Sequence, residues 1–249
     1  MGRYDAPGDL PLSVGALSLD VPFQFDEAFA RRLKRREVNP KEAFTVRDDS
    51  GAYFRASLKV LTSSGGIAVP YERLPRAPEP TVEITLACAV LARQRMIFIM
   101  QKATELGVAR IVPLLTDHSV PADDLEHEKA HAWPGQIIRA ARQCRRSSLP
   151  EVLPPTPLGG FLTAAIVADA DLCLYMDDRT APVSLPAMPP RRIVLLAGPE
   201  GGFSDAERSA IRARALPWVL GGRVLRAETA VIVGLTAIHL TWGDFRPVD

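Results

Sequence analysis

Ile193-Val194-Leu195-Leu196-Ala197-Gly198-Pro199-Glu200-Gly201-Gly202-Phe203-Ser204-Asp205-Ala206-Glu207 is the stretch on which the reading of the fold turns. Its first five residues form an unbroken apolar run, the pattern of a strand covered on both faces, as in a parallel sheet. The glycines after it let the backbone take positive φ and approach another group closely. Ser204 and Glu207 have the Ser-x-x-Glu spacing of a capping box, so the next helix starts at a defined place. Strand, glycine turn and helix in that order put the turn at the carboxyl end of a strand, where open α/β sheets bind ligands. A plain tight turn accounts for the same glycines.

A second stretch repeats the arrangement. Trp218-Val219-Leu220 runs into Gly221-Gly222-Arg223-Val224-Leu225-Arg226-Ala227-Glu228-Thr229-Ala230 ahead of a final helix expected from about Glu228 to Trp242. Two successive strand–glycine–helix crossings place two backbone-rich loops at one edge of the sheet. Solvated loop charges account equally for Arg223 and Arg226, and Glu228 suits a helix N-terminus whatever else it does. Neither loop is a GxGxxG fingerprint, and no GxxxxGK[ST] occurs, so dinucleotide and P-loop readings are weak.

Outward from these loops the α/β rhythm continues. Val82–Val90 reads as a strand, Arg93–Leu106 as a helix closed by Gly107 at C′, and Val108–Leu115 as a strand, together a parallel βαβ unit. Helices follow near Gly135–Arg146 and Leu158–Ala168, with strands at Leu172–Met176 and Arg192–Ala197, a helix at Asp205–Ala215 and a short strand at Trp218–Leu220. The first seventy or so residues differ. Gly15–Val21, Glu42–Arg47, Tyr53–Leu61 and Ile67–Tyr71 are short runs separated by turn residues, with a basic helical segment at Phe29–Arg36, and they suggest a small barrel. Leu74–Pro80 carries three prolines and reads as a linker.

Composition sets few limits. The chain has 249 residues, 47% hydrophobic and 24% charged, and a net charge of only +1, so any nucleic-acid contact must come from local patches. Two exist. Arg31, Arg32, Lys34, Arg35 and Arg36 cluster in the small domain, and Arg139, Arg142 and Arg146 fall at i, i+3, i+7 with Arg145 beside them. A solvated basic face is the competing account of that stripe. Cys88, Cys144 and Cys173 are far apart and form no CxxC pair, which argues against a disulfide framework or a cysteine zinc site. The N-terminus lacks an apolar signal core, and Val231–Leu240 is too short to span a bilayer, so a cytoplasmic protein with no membrane partner is expected.

His127-Glu128-Lys129-Ala130-His131 matches HExxH literally. A metalloprotease would need both histidines on one buried helical face and a third ligand. Here an acidic run precedes the motif and Pro134 follows it, so no metal is expected.

Four ordered segments carry a family resemblance. They are Gln101-Lys102-Ala103-Thr104-Glu105-Leu106-Gly107-Val108, Ala141-Arg142-Gln143-Cys144-Arg145-Arg146 with Leu149-Pro150-Glu151-Val152, the Leu196–Ser204 loop, and Leu220–Ala230. Together they resemble the K-x-TELGV, glutamine–arginine, GPEGGFS and LGxRxLRxETA segments of the RsmE family of 16S rRNA uridine-N3 methyltransferases, in the SPOUT superfamily. The resemblance implies a PUA-like β-barrel RNA-binding domain over residues 1–76. Over 77–249 it implies a SPOUT methyltransferase domain with a mostly parallel sheet and a C-terminal trefoil knot. It implies S-adenosylmethionine as cofactor, ribosomal RNA or the small ribosomal subunit as partner, and a homodimer. It assigns the cofactor site to Leu196, Gly198, Pro199, Glu200, Gly201 and Gly202, and to Leu220, Gly221, Arg223, Val224, Leu225, Arg226, Thr229 and Ala230. RNA contact is expected from Arg3, Arg31, Arg32, Arg35, Arg139, Arg142 and Arg146. The sequence departs from the family where a His-His pair is usual, having Ala28–Arg35 without histidine, and it carries Gly222 and Ala227 where proline and threonine are common.

A uridine N3 must lose its proton to accept a methyl group, and the resulting anion gains from a nearby cation. Arg226 is the expected catalytic residue for that task, with Glu228 or Thr229 shaping the loop. The competing functions are a related methyltransferase acting on another base or a ribose 2′-oxygen, and a non-catalytic RNA-binding protein that kept the fold. Intact glycines in both loops argue against the latter.

Overall fold

A computed structural model describes residues 11–177, 184–186 and 188–245. The chain divides into two compact units: residues 1–79 with 138–149, and residues 80–137 with 150–249. The division is therefore not one cut in the sequence, because a segment beyond residue 137 groups with the N-terminal residues.

The first unit is an antiparallel sheet with a helix. β1 (Phe23–Asp26), α1 (Glu27–Arg35), β2 (Ala43–Arg47), β3 (Tyr53–Leu61) and β4 (Gly65–Arg73) follow in order, and the sheet runs β1-β4-β3-β2. α1 starts at Asp26, whose carboxylate accepts from the Phe29 amide at 2.8 Å. Phe29 and Leu33, four apart, bury one face of α1 against Phe25, Phe44, Phe54 and Leu58. The expected strand at Gly15–Val21 does not form. Asp20 takes φ 62 there, which extended pairing cannot use, and the strand starts after Pro22 instead. Residues 144–149 are held by Glu79. Its two oxygens accept from the Ser147 and Ser148 amides and hydroxyls and from Arg146. Burial pushes the Glu79 carboxyl up, but the Arg146 charge and these donors outweigh it and hold it below its ordinary value.

The second unit is the expected α/β domain. It contains β5 (Glu83–Ala89), α2 (Arg93–Glu105), β6 (Arg110–Leu115), the start of α3 (Trp133–Gln143), β7 (Glu151–Val152), β8 (Thr156–Pro157), α4 (Leu158–Leu162), α5 (Ala165–Ala168), β9 (Leu172–Met176), β10 (Arg192–Ala197), α6 (Asp205–Arg212), β11 (Leu216–Trp218) and α7 (Ala227–Thr241). Every described strand pairing in it is parallel, in the order β11-β9-β10-β5-β6-β7, with β8 also on β6. Residues 193–197 of β10 are all buried, as an unbroken apolar strand between two helical layers must be. α2 buries Met96, Ile99, Met100 and Ala103, an i, i+3, i+4, i+7 stripe, and ends at Gly107 with φ +76. The Pro80 ring lies so close that a Cβ at 107 would come within 2.3 Å of it.

Three expectations are corrected. The helix anticipated over Leu158–Ala168 is two short pieces, since Thr163 caps the first and Ala164 is extended. β7 and β8 were not anticipated; each is two residues long, too short to show a period. β11 pairs over Leu216–Trp218, two residues earlier than expected, in register with Leu174–Met176.

Candidate functional site

β11, β9 and β10 lie side by side, so their carboxyl ends, Trp218, Met176 and Ala197, meet at one edge of the sheet. A cavity of about 270 Å³ opens there. The first glycine loop lines it through residues 198–203, and the second through Leu220, Gly221, Arg223, Val224 and Leu225; Ala227 and Ala230 of α7 complete that side. The two loops expected at one edge of the sheet thus line one space.

The first loop is shaped by packing. Gly202 has φ +69, and its amide donates to the Pro199 carbonyl at 2.8 Å. The His118 ring pairs through Nδ1 with the Gly202 carbonyl at 3.0 Å, and a Cβ on Gly201 would come within 3.1 Å of that histidine. A Cβ on Gly198 would press on the Phe203 ring at 3.1 Å. The capping box is present: the Glu207 amide donates to Ser204 Oγ, and the Ser204 amide to Glu207 Oε2 at 2.9 Å. Ser204 Oγ also donates to Asp117 Oδ2 at 2.6 Å, tying the loop to the segment after β6. Glu200, at the rim, forms an ion pair with Arg95 of α2.

The second loop is open. Gly221 has φ +103, and neither it nor Gly222 has any atom within 4 Å of a would-be Cβ. Val224 is 84% exposed. Arg226 is the exposed N-cap residue of α7, and its side chain makes no cap hydrogen bond.

Some residues expected at the site stand elsewhere. Leu196 is fully buried in the core behind the sheet. Arg226, Glu228 and Thr229 do not line the cavity, although they follow directly from the loop that does. Glu228 is half-buried, and its Oε2 is covered without a hydrogen-bond partner.

The residues missed are on the cavity wall: Met176, Asp177, Trp218, Phe203 and Arg208. Asp177 Oδ1 accepts from Arg208 Nη1 at 2.7 Å, Oδ2 accepts from the Tyr175 hydroxyl at 3.2 Å, and Arg212 stands 3.7 Å from it. A signal for Asp177 was present, since it is the first residue past an apolar parallel strand. Arg208 gave none, because a charge within a helix reads as solvated.

The basic stripe separates into different environments. Arg139 and Arg145 are exposed, whereas Arg142 pairs with Glu42 and donates to the Glu37 carbonyl at 3.0 Å. Arg146 is buried, 2.9 Å from Glu79, so it serves the fold of its own unit. In α1, Arg31 and Arg35 are exposed, Arg32 is half-buried, and Arg31 pairs with Glu27. Arg3 lies outside the described residues.

The HExxH segment is not an α-helix. Lys129 takes φ 54 between the two histidines, and a 3₁₀ turn, Ala130–Ala132, leads from it into α3 at Trp133. Among the described residues no group of His, Cys, Asp and Glu is placed to hold a metal, and no helix is long and apolar enough to cross a membrane.

Comparison with known proteins bears on the same region. The family model for an RNA methyltransferase domain matches residues 77–239. The chain is similar to ribosomal RNA small subunit methyltransferase E of Synechocystis, 32% identical over 207 residues, covering 80% of this chain and 66% of that protein. The Buchnera aphidicola (Schizaphis graminum) protein of the same name is 28% identical over 198 residues, covering 77% and 78%. Among solved structures, ribosomal RNA small subunit methyltransferase E from Neisseria gonorrhoeae bound to S-adenosyl methionine aligns with a TM-score of 0.68 and 28% identity, over 95% of this chain and 99% of that one. With more than half its length matched by one model, the chain belongs to the RNA methyltransferase domain family.

Proposed function

We propose that the protein is an S-adenosylmethionine-dependent methyltransferase acting on N3 of a uridine in small-subunit ribosomal RNA. The single observation that carries this is the meeting of both glycine loops around one cavity at the carboxyl edge of β9, β10 and β11. The Neisseria relative bound to that cofactor supports it. The residues fit such a ligand. Main-chain groups of two glycine loops offer donors and acceptors to a base and ribose, Phe203 and Trp218 offer apolar surface, and Gly221 lines the cavity with open space around it.

Bound there, S-adenosylmethionine supplies an electrophilic methyl group. The chain's task is to fix the geometry of approach, and orientation can supply about 7–11 kcal/mol of a barrier. The packed first loop suits that task. Arg226, exposed just past the second loop, would meet the acceptor and stabilise the uracil anion. The half-buried Glu228 behind it shapes the start of α7.

The same proposal has coarser parts. The first unit would be the PUA-like RNA-holding domain, supported by its antiparallel sheet and by the exposed cations Arg31, Arg35 and Arg139. The second unit would be the methyltransferase domain with its knot. The strand order supports this, because the chain leaves β9 for the inner position beside β5 and then returns past β9 to β11. A homodimer is supported by Phe98 of α2 and Leu240 of α7, apolar and exposed on helices that pack together. Three free cysteines suit the reducing cytoplasm.

Isothermal titration with S-adenosylmethionine tests the cofactor. Mapping the methylated position in 16S rRNA from cells with and without the protein tests the target. Binding near one equivalent and loss of a single uridine-N3 mark are expected; no binding, or loss of a ribose methyl instead, would overturn the respective part.

A further inference from the structure

The cavity has charges at its mouth, Glu200 and Arg223, and one cation within its wall, Arg208. Arg208 lies one turn after the Ser204 cap, and a helical side chain there leans back toward the loop that precedes the helix. Only 10% of that side chain is exposed. Its Nε donates to the Phe203 carbonyl at 2.9 Å and its Nη1 to Asp177 at 2.7 Å. Among the described residues its Nη2 has no acceptor, and it stands where a Cβ on Gly202 would be 3.0 Å away. The Asp177 side chain has no exposed surface, so it holds the guanidinium without reaching a ligand. Arg212 stands beside the same carboxylate, so among the described residues two guanidiniums face Asp177.

A buried guanidinium with spare donors calls for an anion. Within the cavity the anionic group of S-adenosylmethionine is its α-carboxylate. Arg208 also lines a second hollow with Ser209 and Arg212, but Asp205 lines it too and opposes an RNA phosphate. We propose that Arg208 binds the α-carboxylate of the methionine moiety, with Asp177 as the positioning residue that aims it. This rests on the cofactor reading above.

The test compares three ligands by titration calorimetry on the full chain: S-adenosylmethionine, its decarboxylated form, and methylthioadenosine, which lacks the amino-acid end. The unaltered protein is expected to prefer S-adenosylmethionine over the decarboxylated form by about tenfold or more. Arg208→Met should erase that preference while the other two ligands keep their affinity within about threefold. Arg208→Lys, which keeps the charge without the fork, should retain part of it, and serves if the methionine variant does not fold. Equal loss for all three ligands would mean that Arg208 only supports the loop, and would overturn the proposal. So would an intact preference accompanied by weaker RNA binding, which would assign the cation to a phosphate. If the unaltered protein binds none of the three, the cofactor reading itself fails and the inference with it.

Discussion

The two loops that share the cavity are built on different principles. In the loop over residues 198–203 a Cβ on each glycine would crowd a neighbour: Phe203 at Gly198, His118 at Gly201 and Arg208 at Gly202. In the loop over 220–226 the glycines face nothing, and Val224 and Arg226 stand in solvent. A packed loop keeps its shape without a ligand, whereas an open one gains its neighbours from what binds. Under the proposed function the first loop would give the cofactor a preformed wall, and the second would close on it and lead to Arg226 at the acceptor.

The largest effect should come from the open loop and should fall on chemistry alone. Arg226→Ala is expected to lower turnover about 10²–10³-fold, as loss of a donor to a developing anion does, with cofactor affinity and urea midpoint nearly unchanged. Parallel loss of turnover and affinity in steady-state and calorimetric measurements would make Arg226 a cofactor-binding residue and break the contrast. Next is Gly198→Val, which pushes branched carbons into the Phe203 ring. Overpacking of that kind costs about 1–3 kcal/mol, and both the urea midpoint and the affinity for S-adenosylmethionine should drop. Gly221→Ala has room but takes an alanine to φ +103, so about 1 kcal/mol of backbone strain should appear in urea unfolding. Smallest is Gly222→Ala, with neither contact nor positive φ, where stability should change by less than about 0.5 kcal/mol. A Gly198→Val variant as stable as Gly222→Ala would show that the two loops do not differ.

Much of the site was legible because its signals are local. The apolar run 193–197 and the Ser204–Glu207 box state where β10 ends and α6 begins, and the structure has them there, whereas β11 stops at Trp218, short of its glycines. The Arg139, Arg142, Arg146 stripe misleads for the opposite reason. Helical spacing puts those residues on one face but cannot say that Glu79 and Glu42 come from elsewhere in the unit to take two of them. The missing strand at Gly15–Val21 is a similar case, since its partial alternation gave way to the turn at Asp20.

The sequence by itself determined the order of most elements, the two glycine turns and the parallel α/β character of the second unit, since each depends on residues close along the chain. Only tertiary structure decided which strands stand side by side, and so that Asp177 and Arg208 stand in the wall of the cavity that both turns line. Strand order and the pairing of buried charges arise from contacts between residues far apart in the chain, and no short-range pattern records them.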